Sequence, residues 1–203
     1  VWKHQGKILT SGDFAVPTDS TKDRNICDVP INSLLDPSKV PRQVFAYMPR
    51  MRALQTVKGK WYLVSKRDAR HYFHALGIGP AWGPWLTGPA VTDQQGEVMH
   101  PAACAAPMGF GPSAGWAQGL TDTATKDAGL PSDKRVHPDH VVPDMLPIWG
   151  SIVDDMWALD DSVGVEIPGD VVGPSWLDSG VDRWAKVGVK SHPNKEINAE
   201  QNK

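Results

Sequence analysis

Asp154 and Asp155 stand side by side in the apolar run from Ile148 to Leu159, and this carboxylate pair is the strongest chemical signal in the sequence. Successive side chains on a strand point to opposite faces, so the two acids converge only if the chain turns between or beside them. An apolar strand, an acidic tip and an apolar return strand would make such a hairpin. Negative charge gathered at a tip repels itself unless a cation sits there, the arrangement that two-metal phosphoryl chemistry needs. An ordinary turn is the competing reading, because Asp favours turns. A third acid, Asp68, closes a predicted strand 86 positions upstream. The rigid backbone at a strand end suits a metal ligand, and Asp there suits a helix N-cap equally well. Lys22 and Arg24 are two apart on an extended segment and share a face, as a clamp for a polyphosphate or as one side of a solvated turn. Lys195 follows Pro193 in a polar turn, either facing a phosphate or bathed in water.

These side chains depend on elements that the pattern predicts. Residues 1–30 read as a hairpin with a polar turn over 18–24, and a short helix with Pro49 in its first turn spans part of 45–57. The β-branched and aromatic stretch 60–67 is the clearest strand, followed by a helix over 69–76 that stops at Gly77. Residues 77–106 are loop-like, with two strand pieces near 90–92 and 97–100 split by a turn; Trp82 and Trp85 either stack on bases or, the preferred reading, fill a gap in the core beneath this Gly/Pro-rich loop. The stretch from Pro107 to Gln118 begins as a glycine-rich turn and becomes a helix running to about 128. A polar connection leads from 129 to 147, and a turn rich in Gly and acid follows the hairpin. Trp176, Leu177, Val181, Trp184 and Val187 recur at helical spacing, so 175–187 is an amphipathic helix ended by Gly188.

With 203 residues and 40% hydrophobic content the chain can bury a core, in one or two domains. Nineteen Gly and 18 Pro predict many turns. A formal charge of −2 lacks the basic balance that announces a nucleic-acid binder, although a metal site concentrates acid and offsets basic residues elsewhere. Two cysteines make no disulfide framework and fit a reducing, intracellular compartment. No apolar run is long enough for a membrane span, and no leader is recognised. His100, Cys104, His137 and His140 match no zinc spacing. The chain starts at Val1 and reads as a piece of a longer polyprotein.

Taken in order, these motifs resemble a reverse transcriptase of a retrotransposon or other retroelement. Asp68 followed five positions later by Phe73 is similar to the family's first motif, and Pro107-Met108-Gly109-Phe110 through Gln118 to its second. Val153-Asp154-Asp155 resembles the paired-acid hairpin; Gly188, Pro193 and Lys195 resemble the later glycine, proline and lysine motif; the segment 19–24 resembles the fingertip hairpin. Val153 stands where an aromatic residue is often found, and Ala106 where Leu is more usual.

The resemblance implies an α+β right-hand polymerase: fingers and palm, an antiparallel palm sheet packed on helices, and no thumb. Fingers would take 1–60 and 77–111, and palm 61–76 and 112–203. It implies transfer of dNMP to a primer 3′-hydroxyl on an RNA or DNA template. Two Mg2+ or Mn2+ ions would be held by Asp68, Asp154, Asp155 and the Ala69 carbonyl. Lys22 and Arg24 would clamp the dNTP, Phe73 would exclude a 2′-hydroxyl, Gly109 and Gln118 would border nucleotide and template, and Lys195 would serve the leaving pyrophosphate. Three other classes compete. An RNA-directed RNA polymerase would carry Gly before the acids and a small polar residue in place of Phe73. A domesticated, inactive palm would survive as a nucleic-acid-binding module. An unrelated two-metal hydrolase would draw ligands from Asp160, Asp161 or His140.

Overall fold

The computed structural model describes residues 3–19, 22–40, 62–161 and 172–197. In chain order its strands are β1 (Lys3–His4), β2 (Lys7–Ile8), β3 (Gly12–Asp19), β4 (Lys22–Asp28), β5 (Tyr62–Arg70), β6 (Val91–Thr92), β7 (Val98–Met99), β8 (Ile148–Ile152), β9 (Asp155–Asp161) and β10 (Lys190–Ser191). The α-helices are α1 (Tyr72–Ala75), α2 (Gly111–Asp127) and α3 (Val172–Lys186). The predicted helix around Pro49 lies outside the described residues. None of the helices among the described residues is long and apolar enough to cross a membrane. The chain divides into two compact units, Val1–Arg42 with Phe73–Trp116 and Gln43–Tyr72 with Ala117–Lys203.

In the first unit β3 and β4 pair antiparallel from Gly12↔Asp28 to Asp19↔Lys22, with the register shifting between Pro17 and Asp19. Proline donates no hydrogen bond to the ladder, so it is tolerated where pairing loosens. Val29, Ile31, Leu86 and Phe110 form the buried cluster, with Trp82, Trp85 and Trp116 packed around it. The rings of Trp82, Phe110 and Trp116 meet edge to face at 5.3–5.6 Å, so Trp82 fills the core as its place beneath the Gly/Pro loop predicts. Asn32 grips the turn before α2: its amide donates to the Gly109 carbonyl at 2.6 Å, and its oxygen accepts from the Gly111 N–H at 2.8 Å. Gly109 has φ +101°, and a Cβ there would collide with the Cys27 carbonyl, so this position admits glycine alone.

The second unit is built on a four-stranded antiparallel sheet in the order β10-β5-β9-β8. Its two faces are chemically different. Ser65, Arg67 and Ala69 on β5 and Met156 and Ala158 on β9 are buried and share one face with Trp149 and Ser151 of β8. Helices α2 and α3 pack on that face: Arg67 pairs with Asp178 of α3 at 2.8 Å, and Gln118 of α2 donates to Ser151 at 3.0 Å. Gly180 lets α3 approach closely, because a Cβ there would lie 2.8 Å from the Met156 sulfur. The opposite face carries Lys66, Asp68, Asp155, Trp157 and Gly150. The Trp157 indole lies over Gly150, whose added Cβ would sit 2.5 Å from the ring.

Strand β5 outlasts its predicted end at 67. Its ladder continues through Asp68↔Asp155 on one side, and through Ala69↔Ser191 and Arg70↔Lys190 on the other. Two partners supply hydrogen bonds for extended backbone, which overrides the local helical pattern after Asp68 and shortens α1 to four residues. Asp68 therefore lies inside a central strand and does not cap a helix.

Candidate active site

Strand pairing assembles the acids. Asp68 and Asp155 are direct cross-strand partners, so both side chains leave the same face of the sheet. Asp154 occupies the tip with Val153, and its carbonyl accepts the Ala69 N–H at 2.8 Å, which ties the tip to β5. The tip is thus Val153-Asp154, and Asp155 opens the return strand. Val153 has φ +53°, unusual for a β-branched residue and costly at roughly 1–3 kcal/mol.

Helix α2 holds this turn in place. The Gln118 carbonyl oxygen accepts the Val153 N–H at 2.7 Å, and the Thr121 hydroxyl donates to the Val153 carbonyl at 2.6 Å. Thr121 in turn contacts the Tyr72 hydroxyl at 2.6 Å. Burial pushes the Tyr72 phenol up to about 12, so it stays protonated and available as a donor. Below the turn, one oxygen of Asp122 accepts from Gln118 at 2.8 Å and from Ser151 at 3.2 Å, and pairs with Arg135. Arg135 also lies over the Trp149 ring at 5.3 Å.

Two lysines meet the carboxylates. Lys66 Nζ is 2.9 Å from Asp155 Oδ1 and 3.9 Å from Asp68 Oδ2; Lys195 Nζ is 3.4 Å from Asp68 Oδ2. Lys195 reaches the acids because β10 runs beside β5 and then coils into a 3-10 turn, Pro193–Lys195, anchored by the His192 N–H donating to the Asp68 carbonyl at 2.7 Å. Burial raises the pKa of Asp154, and the negative charge of Asp68 adds to it against the opposing pull of Lys195 and Lys66. Burial also raises Asp155, where the Lys66 bond opposes the rise and the charges of Asp154 and Asp68 reinforce it. Three carboxylates against two ammonium groups leave the cluster net negative.

Asp68, Ala69, Asp154, Asp155 and Lys195 are therefore drawn together within the second unit, together with Gln118. Gln118 is 4% exposed and spends its amide on the hairpin tip, Ser151 and Asp122. Arg24, Phe73 and Gly109 belong to the first unit: Arg24 is exposed on β4, Phe73 is half-buried in α1, and Gly109 packs against Cys27. The side chain of Lys22 lies outside the described residues. Lys66, Thr121 and Tyr72 were not singled out from the sequence. Lys66 was within reach of the two-residue strand period that places it on the face of Asp68; Thr121 and Tyr72 carried no signal, because their partners are distant in the chain.

Among the described residues no three His, Cys, Asp or Glu side chains form a group ready to hold a metal ion. Asp68 and Asp154 offer hard carboxylate oxygens, the ligand type that Mg2+ and Mn2+ favour, in a net negative site. Mg2+ is commonly held by one or two carboxylates together with substrate phosphates, not by an all-protein cage.

A sheet bearing acids on one face and helices on the other is here part of a reverse-transcriptase-like fold, as solved structures show. A particular likeness is to a foamy viral protease-reverse transcriptase solved in complex with double-stranded DNA, at a TM-score of 0.59 and 16% identity. The match covers 96% of this chain and 28% of that one, so the chain spans little more than a quarter of its solved neighbour. No family model and no curated protein matches the sequence.

Proposed function

We propose that the chain is the fingers-and-palm part of an RNA-directed DNA polymerase from a mobile element, extending a primer 3′-hydroxyl with dNMP by in-line nucleotidyl transfer. The observation that carries the reading is the register Asp68↔Asp155, with Asp154 tied to Ala69, which gathers the acids at the hairpin tip, on the sheet face opposite α2 and α3, in a reverse-transcriptase-like fold. The neighbour's double-stranded DNA supports a primer–template duplex as the ligand.

Asp68 and Asp154, with the Ala69 carbonyl, would hold two Mg2+ or Mn2+ ions, and Asp155 stands beside them. Bound there, such ions lower the pKa of the attacking hydroxyl and neutralise charge on the triphosphate. Lys195, already at Asp68, swings toward the β- and γ-phosphates and stabilises or protonates the leaving pyrophosphate. Its side chain is 59% exposed, which leaves it free to move. By the resemblance, Lys22 and Arg24 would clamp the triphosphate. Phe73 lies against the sugar and clashes with a 2′-hydroxyl, the group that separates the two nucleotide classes. Gly109 borders the nucleotide, and Gln118 fixes the hairpin tip beside the template path.

Primer extension on an RNA template with Mg2+ or Mn2+ tests the reading. Asp154→Asn is expected to lower extension by about 10³-fold or more, and Phe73→Ala to admit ribonucleotides. Extension that survives Asp154→Asn overturns the assignment. Duplex binding without any extension is the outcome expected of an inactive palm module.

A further inference from the structure

We infer that Lys66 is the standing counter-cation of the acid cluster and that Asp155 is committed to Lys66, not to a metal ion. The inference rests on the metal-dependent reading above and assigns a separate role to one of its acids. Lys66 sits two residues before Asp68 on the same face, and the cross-strand register sets Asp155 opposite Asp68. The ammonium therefore reaches diagonally to Asp155 at 2.9 Å while staying 3.9 Å from Asp68. Its backbone is pinned on the other edge by Ile197, which exchanges two hydrogen bonds with Lys66 at 2.8 and 3.1 Å. Lys66 is also better enclosed than Lys195, with 31% of its side chain exposed against 59%.

This arrangement has two consequences. Without divalent ions, Lys66 offsets the mutual repulsion of closely set carboxylates that burial already disfavours as anions. An arriving cation meets the charge of Lys66, so the same residue weakens metal binding to the free protein. Asp155, neutralised by its lysine, adds little net attraction for that cation. Lys66 is in this sense a positioning residue, which keeps the site assembled until substrate and metal arrive together.

The test uses the whole 203-residue chain and two readouts that need no catalysis: Mn2+ binding followed by electron paramagnetic resonance, without nucleotide or nucleic acid, and melting in EDTA. Lys66→Met is expected to tighten Mn2+ binding about 30-fold, the effect of removing one charge some 4 Å from a divalent ion in a well-solvated site. It should lower the melting temperature in EDTA by about 2–4 °C, and Lys66→Arg should restore both values. Asp155→Asn should stabilise the Lys66→Met protein but not the wild type, and the double variant should bind Mn2+ as the wild type does. Unchanged Mn2+ affinity in Lys66→Met overturns the counter-cation role. A double variant that binds Mn2+ more weakly than wild type overturns the role of Asp155, because removing a lysine and a carboxylate that only neutralise each other leaves the net charge at the metal unchanged. If neither wild type nor Lys66→Met binds Mn2+, the metal-dependent reading is overturned instead, while the melting comparison in EDTA still decides the Lys66–Asp155 pairing.

Discussion

Asp154 is the residue at which stability and chemistry pull apart. Burial and the neighbouring Asp68 charge raise its pKa above the ordinary 3.8, so only between 3.8 and that raised value does the folded state hold a proton that the unfolded state has released. For such a group the folded anion is penalised: the cost is fully present above the raised pKa and disappears as pH falls through it toward 3.8. In EDTA, Asp154→Asn is therefore expected to be more stable than wild type at pH 7, with the advantage shrinking as pH falls toward 4. Thermal melts across that range check the prediction, and an advantage that grows on acidification would contradict it. A site that is strained as an unliganded anion is one that a bound cation relieves.

At the scale of elements, the hairpin tip is shaped by its own backbone and by the helix behind it. Val153 adopts a positive φ because Gln118 and Thr121 hold both of its backbone groups, at 2.7 and 2.6 Å. Val153→Gly removes the steric penalty and is expected to raise the melting temperature by about 2–4 °C, and under the proposed function to lower primer extension through a looser tip. Gln118→Leu leaves the Val153 N–H without its acceptor and is expected to cost about 1–3 kcal/mol in denaturant unfolding. A Gln118→Leu protein as stable as wild type would show that α2 does not hold the turn. Strand β5 makes a related point: its predicted end was wrong because flanking strands, not local propensity, decide where a central strand stops.

At the scale of the molecule, the two units have separate means of cohesion. The first is centred on an aromatic cluster around Phe110, and the second on a sheet with helices on one face. Phe110 is 2% exposed, so Phe110→Ala is expected to cost the first unit about 3–5 kcal/mol. Hydrogen exchange should then accelerate in β3, β4 and the 3-10 turn Pro30–Leu34 while protection persists in β5, β8 and β9. Equal loss of protection in both sets of strands would show that the units unfold together.

The acidic hairpin, the hairpin of β3 and β4, the helix after the glycine turn and the tryptophan-bearing α3 were legible in the sequence. Each is encoded by neighbours a few residues apart, through alternation, helical spacing, or Gly and Pro at turns. The order of the motifs also carried the resemblance to reverse transcriptases, and the fold agrees with it. Tertiary structure decided the rest. It placed Asp68 opposite Asp155, turned Gln118 and Thr121 toward the hairpin tip, and brought Lys66 and Lys195 to the carboxylates. Those contacts depend on strand register and on a helix packed across the sheet, joining residues up to 127 positions apart. No local pattern specifies such pairings, because their free energy exists only once the sheet has formed.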